Sequence, residues 1–144
     1  MKTARKRHWL LNLTIGITIL ACLLAFAIHS RNWMRLQEGR MQLLSGVYYL
    51  EVPFAELDSV RWQAKIPQME RRHGFSFWAR EKGVFSDSLF PSRPVYVYVD
   101  DLRQTKIRIT YRDSLTLFLN FSDTAETRSV YHLLREKLPA EAPR

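Results

Sequence analysis

The sequence predicts a mainly β protein, in which an N-terminal transmembrane helix precedes a bent antiparallel sheet of about seven strands and a C-terminal amphipathic helix that caps the sheet. Three observations predict this arrangement. An uncharged apolar run occupies residues 9–28, short runs rich in β-branched and aromatic residues fill residues 47–121, and apolar residues recur at helical spacing from Val130 to Leu138. Because 144 residues suffice for one folded unit, we expect a single β domain behind one membrane anchor.

The apolar run from Trp9 to Ile28 is expected to cross a membrane. Twenty helical residues, at about 1.5 Å each, span the roughly 30 Å hydrocarbon core of a bilayer. Trp9 and Trp33 lie near its two ends, where indole rings anchor at membrane interfaces. Two cleavage motifs compete with this interpretation, "AFA" at Ala25–Ala27 for signal peptidase and "ILAC" ending at Cys22 for a lipoprotein. The apolar run is longer than that of a cleaved signal, which favours an anchor.

The distribution of basic residues predicts the orientation of this helix. Four basic residues at positions 2–7 precede the run together with the amino terminus, against three arginines at positions 31–40. Because positive residues favour the cytoplasmic side, we expect a cytoplasmic N-terminus and an outward-facing C-terminal domain. The formal charge is +8, but after the run 18 basic residues face 14 acidic ones, so we expect no nucleic-acid partner.

The sequence divides into five parts: a basic cytoplasmic N-terminus (1–8), the transmembrane helix (9–28), a juxtamembrane connector (29–46), the β domain (47–138) and a disordered tail (139–144). The connector is predicted to be helical. Its apolar residues from Trp33 to Leu44 recur near helical spacing, and Gly46 follows as a stop.

The clearest strand pattern is a β-hairpin in "KIRITYRDSLTLFLNF", residues 106–121. Apolar and polar residues alternate on both sides of a turn at Asp113 and Ser114. A helix is predicted to follow at once, since Ser122 or Asp123 can cap its first N–H groups and Glu126 completes a capping-box-like pattern. Pro139 is predicted to end this helix.

Several segments together resemble the bacterial pleckstrin-homology (PH-like) domains. They are "IPQMERRHGF", "KGVF", "VYVYVDD" and the hairpin with its following helix, and they cover roughly Tyr49 to Leu138. The matching positions are Ile66, Pro67, Arg71 or Arg72, Gly74, Phe75, Gly83, Phe85, Asn120, Asp123, Glu126, Thr127 and Tyr131. The resemblance implies a seven-stranded bent sheet closed by a helix. Together with the predicted anchor and its orientation, we expect a protein of the bacterial inner (cytoplasmic) membrane with its domain on the periplasmic or extracellular side. The resemblance also implies a family whose bacterial members mostly lack an established activity.

The stretch "MERRHGFSFWAREKGVF", residues 69–85, places basic residues among aromatic ones and permits two interpretations. The first is an ordinary strand bounded by two glycines that allow tight backbone turns. The second is a cationic rim for phosphate or carboxylate groups, because guanidinium groups make bidentate contacts to such oxyanions. The candidate ligand-binding residues are Arg71, Arg72, His73, Arg80 and Lys82.

The run "VYVYV" within residues 94–100 is a candidate edge strand for a protein partner. Proline is tolerated beside a sheet edge, and Tyr96 and Tyr98 would present an apolar stripe to the partner. The alternative is that the three valines fill the core while both tyrosines cover the sheet.

Catalysis finds little support in the sequence. The four histidines lack metal-ligand spacing, and Cys22 is the only cysteine. Asp100 and Asp101 are adjacent, so they point to opposite faces of a strand or end it. Glycine-rich phosphate loops and nucleophile-elbow motifs do not occur. We therefore expect no catalytic residues, no metal and no cofactor.

The predicted function is that of a single-pass, non-enzymatic binding or scaffolding module, held in the membrane by Trp9 to Ile28, that engages another membrane or envelope protein. Two alternatives stay open. One is a small-ligand receptor or hydrolase with a pocket near His73. The other is the binding of anionic lipid headgroups by the basic loop Arg71-Arg72-His73.

Overall fold

The computed structural model of the chain describes residues 3–140, with side chains from His8 onward. The predicted basic side chains at positions 1–7 and the last four residues of the predicted tail lie outside this part. The helices are α1 (Thr3–His29) and α2 (Thr124–Lys137). The strands are β1 (Asn32–Gln37), β2 (Arg40–Ser45), β3 (Tyr48–Pro53), β4 (Leu57–Gln63), β5 (Glu70–Phe77), β6 (Arg80–Ser86), β7 (Pro94–Val99), β8 (Lys106–Tyr111) and β9 (Leu115–Asn120).

Helix α1 is long and apolar enough to cross a membrane. Its segment His8–His29 has 22 residues, and an 18-residue window within it has a mean hydropathy of 2.4 and no residue buried inside the protein. The residues that follow satisfy the last carbonyl groups of the helix, which have no partner within it. Trp33 Nε1 donates to the carbonyl of Ile28 at 2.8 Å, and the Ser30 amide donates to the carbonyl of Phe26 at 2.9 Å.

The predicted connector helix at residues 29–46 is wrong, because β1 and β2 form a hairpin there. Gln37 pairs with Arg40 around a turn in which Gly39 has a φ of +75°. Inward side chains alternate along β2, where Met41, Leu43 and Ser45 are buried. The two-residue spacing of a strand therefore overrides the helical spacing of the large apolar residues. With β3, these strands form a three-stranded sheet in the order β1-β2-β3.

The remaining six strands form one sheet in the order β4-β8-β9-β7-β6-β5. The chain therefore has nine strands in two sheets among residues 3–140, where the sequence predicted one sheet of about seven. The hairpin predicted at residues 106–121 is confirmed as β8 and β9. Strand β9 lies between β8 and β7. It runs parallel to β7, whereas all other pairs are antiparallel.

Two apolar clusters hold the sheets together. The larger one joins the three-stranded sheet, one face of the six-stranded sheet and α2, through side chains such as Met41, Ile109 and Leu134. The smaller one covers the opposite face with five buried residues: Phe85, Val95, Val97, Val99 and Phe118. The predicted C-terminal helix is confirmed, and the Asp123 carboxylate caps it by accepting the Ala125 amide at 2.9 Å.

Candidate functional site

Strand β5 is the most accessible strand of the larger sheet. Among residues 3–140 it pairs only with β6, and all eight of its residues are exposed. The opposite edge strand, β4, packs against α2, where Trp62 stacks on Tyr131 with ring centroids 4.1 Å apart. A strand with a free edge presents a row of backbone N–H and C=O groups that another chain can pair with. The β5 edge is therefore the candidate binding surface.

Two glycines fix how closely β5 lies against β6. Gly74 and Gly83 are directly opposite each other, with φ values of +142° and +157°. A Cβ atom on Gly74 would lie 2.3 Å from the Lys82 carbonyl oxygen, and one on Gly83 would lie 2.3 Å from the His73 carbonyl oxygen. Only glycine fits at either position. The interpretation of one strand bounded by turns at these glycines is wrong, because Gly74 lies inside β5, Gly83 lies inside β6, and the turn between them is at Trp78 and Ala79.

The predicted cationic residues are not one rim, because β5 and β6 place them on two faces. Arg71 lies on the outer face, where it donates to the Glu81 carboxylate at 3.0 Å and covers the Phe85 ring at 5.5 Å. Arg72 is exposed at a bulge, where the register between β5 and β6 shifts. The Arg71 guanidinium group is thus paired with Glu81 of the same hairpin, whereas Arg72 is exposed at the bulge in β5.

His73 faces the smaller sheet. Its Nδ1 atom is 3.3 Å from the Tyr48 hydroxyl group, and the two rings stack with centroids 5.6 Å apart. Phe75, two residues along, packs beside Gly46. Residues on this face of β5 therefore lie against the end of the smaller sheet.

Lys82 is wrongly predicted as a member of an exposed rim, because its side chain is 0% exposed. Its Nζ atom donates to Asp100 Oδ1 at 2.6 Å, to Asn32 Oδ1 at 2.5 Å and to Ser45 Oγ at 3.1 Å. All three N–H bonds of the ammonium group thus have acceptors. Burial lowers the pKa of Lys82, and the ion pair with Asp100 acts in the opposite direction.

Asn32, Ser45, Lys82, Asp100 and Asn120 together form a buried polar group, here called the junction cluster. The Asn32 side chain donates to the carbonyl groups of Tyr98 and Asn120, each at 2.7 Å. The Asn120 side chain accepts the Asp100 amide at 2.8 Å and donates to the Asp101 carbonyl at 2.7 Å. The Asn32 amide donates to both oxygens of the Asp100 carboxylate, each at 3.1 Å.

The junction cluster joins α1 to both sheets. Asn32 follows the end of α1 by three residues, Ser45 ends β2, Lys82 lies in β6, Asp100 follows β7 and Asn120 ends β9. Sequence reasoning missed this cluster, since Asn32 and Ser45 have no local pattern that distinguishes them from surface polar residues. The sequence singled out Lys82, Asp100 and Asn120 separately, but no sequence pattern indicated that the three meet in one buried cluster.

The contact between Lys82 and Ser45 has the atoms of a serine nucleophile and a lysine base. A working base must be deprotonated and open to a substrate. Here the Lys82 ammonium is neutralised by Asp100, the Ser45 hydroxyl donates to Asn32 Oδ1 at 2.5 Å, and both residues are fully buried. The cluster therefore acts as a structural joint in this conformation.

The partner edge predicted at Tyr96 and Tyr98 is also wrong. Their strand, β7, lies inside the larger sheet between β9 and β6, so it has no free edge. Tyr98 is buried and Tyr96 is half-buried, both packed in the larger apolar cluster. The valines of β7 fill the smaller cluster, so both faces of this strand are covered.

Three surface cavities have volumes of about 580, 700 and 480 Å³. The first lies between β4 and the start of α2, the second beside Arg80 and Asp101, and the third against Ile66 and Lys106. His73 lines none of them. Within residues 3–140, His, Cys, Asp and Glu side chains do not gather in groups of three or more that could hold a metal ion.

Arg80 borders the second cavity at the tip of the β5–β6 hairpin. Its Nε atom is buried without a hydrogen-bond partner among the described residues.

Comparisons of the chain with protein-family models, characterised proteins and solved structures give no match.

Proposed function

We propose that the protein is a single-pass, membrane-anchored, non-enzymatic binding module whose PH-like β domain engages another envelope protein by strand addition along β5. An added strand continues the sheet through main-chain hydrogen bonds, and side-chain contacts then select the partner. The single observation that supports this proposal is the exposed edge of β5, which among residues 3–140 pairs on one side only.

The length of β5 suits such pairing. Eight residues at about 3.3 Å each offer roughly 26 Å of edge, which is longer than the average strand. Proteins commonly block free edges with short strands, proline or inward charges. Strand β5 contains no proline, and Arg72, which is exposed at the bulge, would favour an incoming strand with acidic side chains.

The anionic-headgroup alternative is less well supported by the geometry. Arg72 lies five residues along β5 from Phe77, a distance of roughly 16 Å. Phe77 is the residue of β5 whose ring contacts α1. Arg71 and Arg72 would therefore be held well above the bilayer that α1 crosses, where they suit a protein partner better than a lipid.

Photo-crosslinking in native membranes tests this proposal. A photoreactive residue at Arg72 is expected to give an adduct with one protein, and the same residue at Arg61 is expected to give none. Arg61 is also an exposed arginine and lies on β4, the edge strand that α2 contacts. Mass spectrometry identifies the adduct, and a segment of the partner crosslinked at Arg72 should lie in an extended stretch.

A second photoreactive position at Glu70 distinguishes strand addition from a chance contact. A strand paired along β5 would crosslink to Arg72 and Glu70 through two nearby sites in one extended segment of the partner, because a paired strand runs alongside both positions. Adducts of Arg72 and Arg61 with the same proteins in equal yield, or no protein adduct at any β5 position, would contradict strand addition.

Protease accessibility tests the proposed orientation independently. With a cytoplasmic N-terminus, protease added to intact spheroplasts should digest the β domain and leave the α1 fragment in the membrane. Digestion only after the membrane is permeabilised would place the domain in the cytoplasm and remove the envelope partner from the proposal.

A further inference from the structure

The tip of the β5–β6 hairpin lies beside the membrane helix. The Phe77 ring meets the Phe26 ring of α1 edge-on, with centroids 5.1 Å apart. Phe26 belongs to the apolar segment His8–His29 and precedes its end by three residues, which is about 4.5 Å of helix. The tip of the hairpin therefore lies alongside the last turn of α1.

The depth of this contact follows from helix geometry. Phe26 is about 11 Å along the helix axis from the midpoint of His8–His29, and half of the hydrocarbon core is about 15 Å. A ring in contact with Phe26 therefore lies at the level of the outer acyl chains. The position of Phe75 agrees with this direction of the strand, since the Phe75 ring and the carbonyl oxygen of His29, at the helix end, both lie within 3.4 Å of the place that a Cβ atom on Gly46 would take.

Trp78 extends the same apolar surface. Its ring stacks on Phe77 with centroids 5.0 Å apart, and 88% of the residue is exposed. Its φ is +52°, in the left-handed region that glycine and asparagine adopt more easily. A large aromatic residue at such a turn position is costly both in backbone strain and in exposed apolar area, so a surface that covers its ring offsets part of this cost.

We infer that Phe77 and Trp78 insert into the headgroup–acyl boundary of the same bilayer that α1 crosses, as a second membrane contact of the β domain. The inference rests on α1 spanning the membrane. Indole rings prefer this boundary because it is apolar on one side and wet on the other. Arg31 follows α1 and is exposed, and an arginine at the end of a membrane helix can extend its charged group to the lipid phosphates.

Quenching by brominated lipids tests the insertion in the full-length chain. Three single-tryptophan variants, each with the other tryptophans replaced by phenylalanine, are reconstituted in phosphatidylcholine vesicles brominated near the headgroup end of the acyl chains. Trp78 is expected to lose emission to an extent comparable with Trp9, in the α1 segment, and to emit at shorter wavelength than in water. Trp62, on β4 in the body of the domain, should keep its emission.

The outcomes separate this inference from the membrane anchor. Quenching of Trp9 without quenching of Trp78 overturns the insertion and leaves the anchor intact, whereas no quenching of Trp9 overturns both. A second measurement addresses the case in which a variant with three replaced tryptophans does not fold. Trp78→Phe alone, in the otherwise native chain, should reduce the fraction of the total tryptophan emission that brominated lipids quench. If Trp78→Phe leaves this quenched fraction unchanged, the insertion is also overturned.

Discussion

Replacing Lys82 by methionine is expected to lower the free energy of unfolding by about 3–5 kcal/mol, the typical cost of removing one partner of a buried ion pair. Methionine fills a similar volume, but the Asp100 carboxylate loses its only charged partner in the junction cluster. The Asn32 and Ser45 side chains each lose a hydrogen bond as well. Urea unfolding of the full-length protein in detergent micelles, followed by circular dichroism, measures the loss.

Two variants control this prediction. Lys65→Met makes the same change at an exposed lysine and should alter the free energy of unfolding by less than about 0.5 kcal/mol. Adding Asp100→Asn to Lys82→Met removes the unpaired charge, so the double variant should be more stable than Lys82→Met alone, a non-additivity expected for contacting residues. A loss from Lys82→Met no greater than that from Lys65→Met would mean that the ion pair contributes nothing net.

Replacing Gly83 by alanine is expected to lower the free energy of unfolding by about 3 kcal/mol or more, combining overpacking with backbone strain. The new Cβ atom would lie 2.3 Å from the His73 carbonyl oxygen and 2.7 Å from the Gly74 Cα atom. Both are backbone atoms of the paired strand, so β5 must separate from β6 to accommodate it. Urea unfolding and limited proteolysis within residues 64–79 would both report the change.

Gly39→Ala is the matched control for Gly83→Ala. Gly39 also has a positive φ, +75°, but apart from its chain neighbours no described atom lies within 4 Å of the place that a Cβ atom would take. The loss of stability should be limited to the strain of a left-handed alanine, about 1–2 kcal/mol. If Gly83→Ala costs no more than Gly39→Ala, the close approach of the two strands is not what requires glycine there.

The elements that the sequence predicted correctly depend on neighbouring residues. The apolar run of α1, the alternation of β8 and β9 and the Asp123 cap of α2 are each visible within about 20 residues. The β1–β2 hairpin was not predicted, although the residues that form its turn are also neighbours in the sequence. Its sequence "EG" at residues 38–39 is a two-residue turn, but large apolar residues at helical spacing around it suggested a helix.

The errors in the candidate site have a different cause. Whether a strand is an edge depends on which strands pair, and β7 became internal only because β9 and β6 lie on its two sides. The burial of Lys82 depends on Asn32, 50 residues earlier, and Asp100, 18 residues later. Such contacts between distant parts of the chain leave no periodic pattern, so an exposed lysine was the natural expectation.

The buried joint between α1 and the two sheets has a consequence for how a partner is met. Asn32, three residues after the helix, is hydrogen-bonded to Tyr98 in β7, to Asp100 directly after it and to Asn120 in β9. We therefore do not expect the domain to swivel freely on a flexible stalk. In the proposed membrane-anchored state, the edge of β5 would stay at a constant height above the bilayer. A partner anchored in the same bilayer would then meet that edge by two-dimensional diffusion, at an effective concentration far above that of a freely dissolved protein.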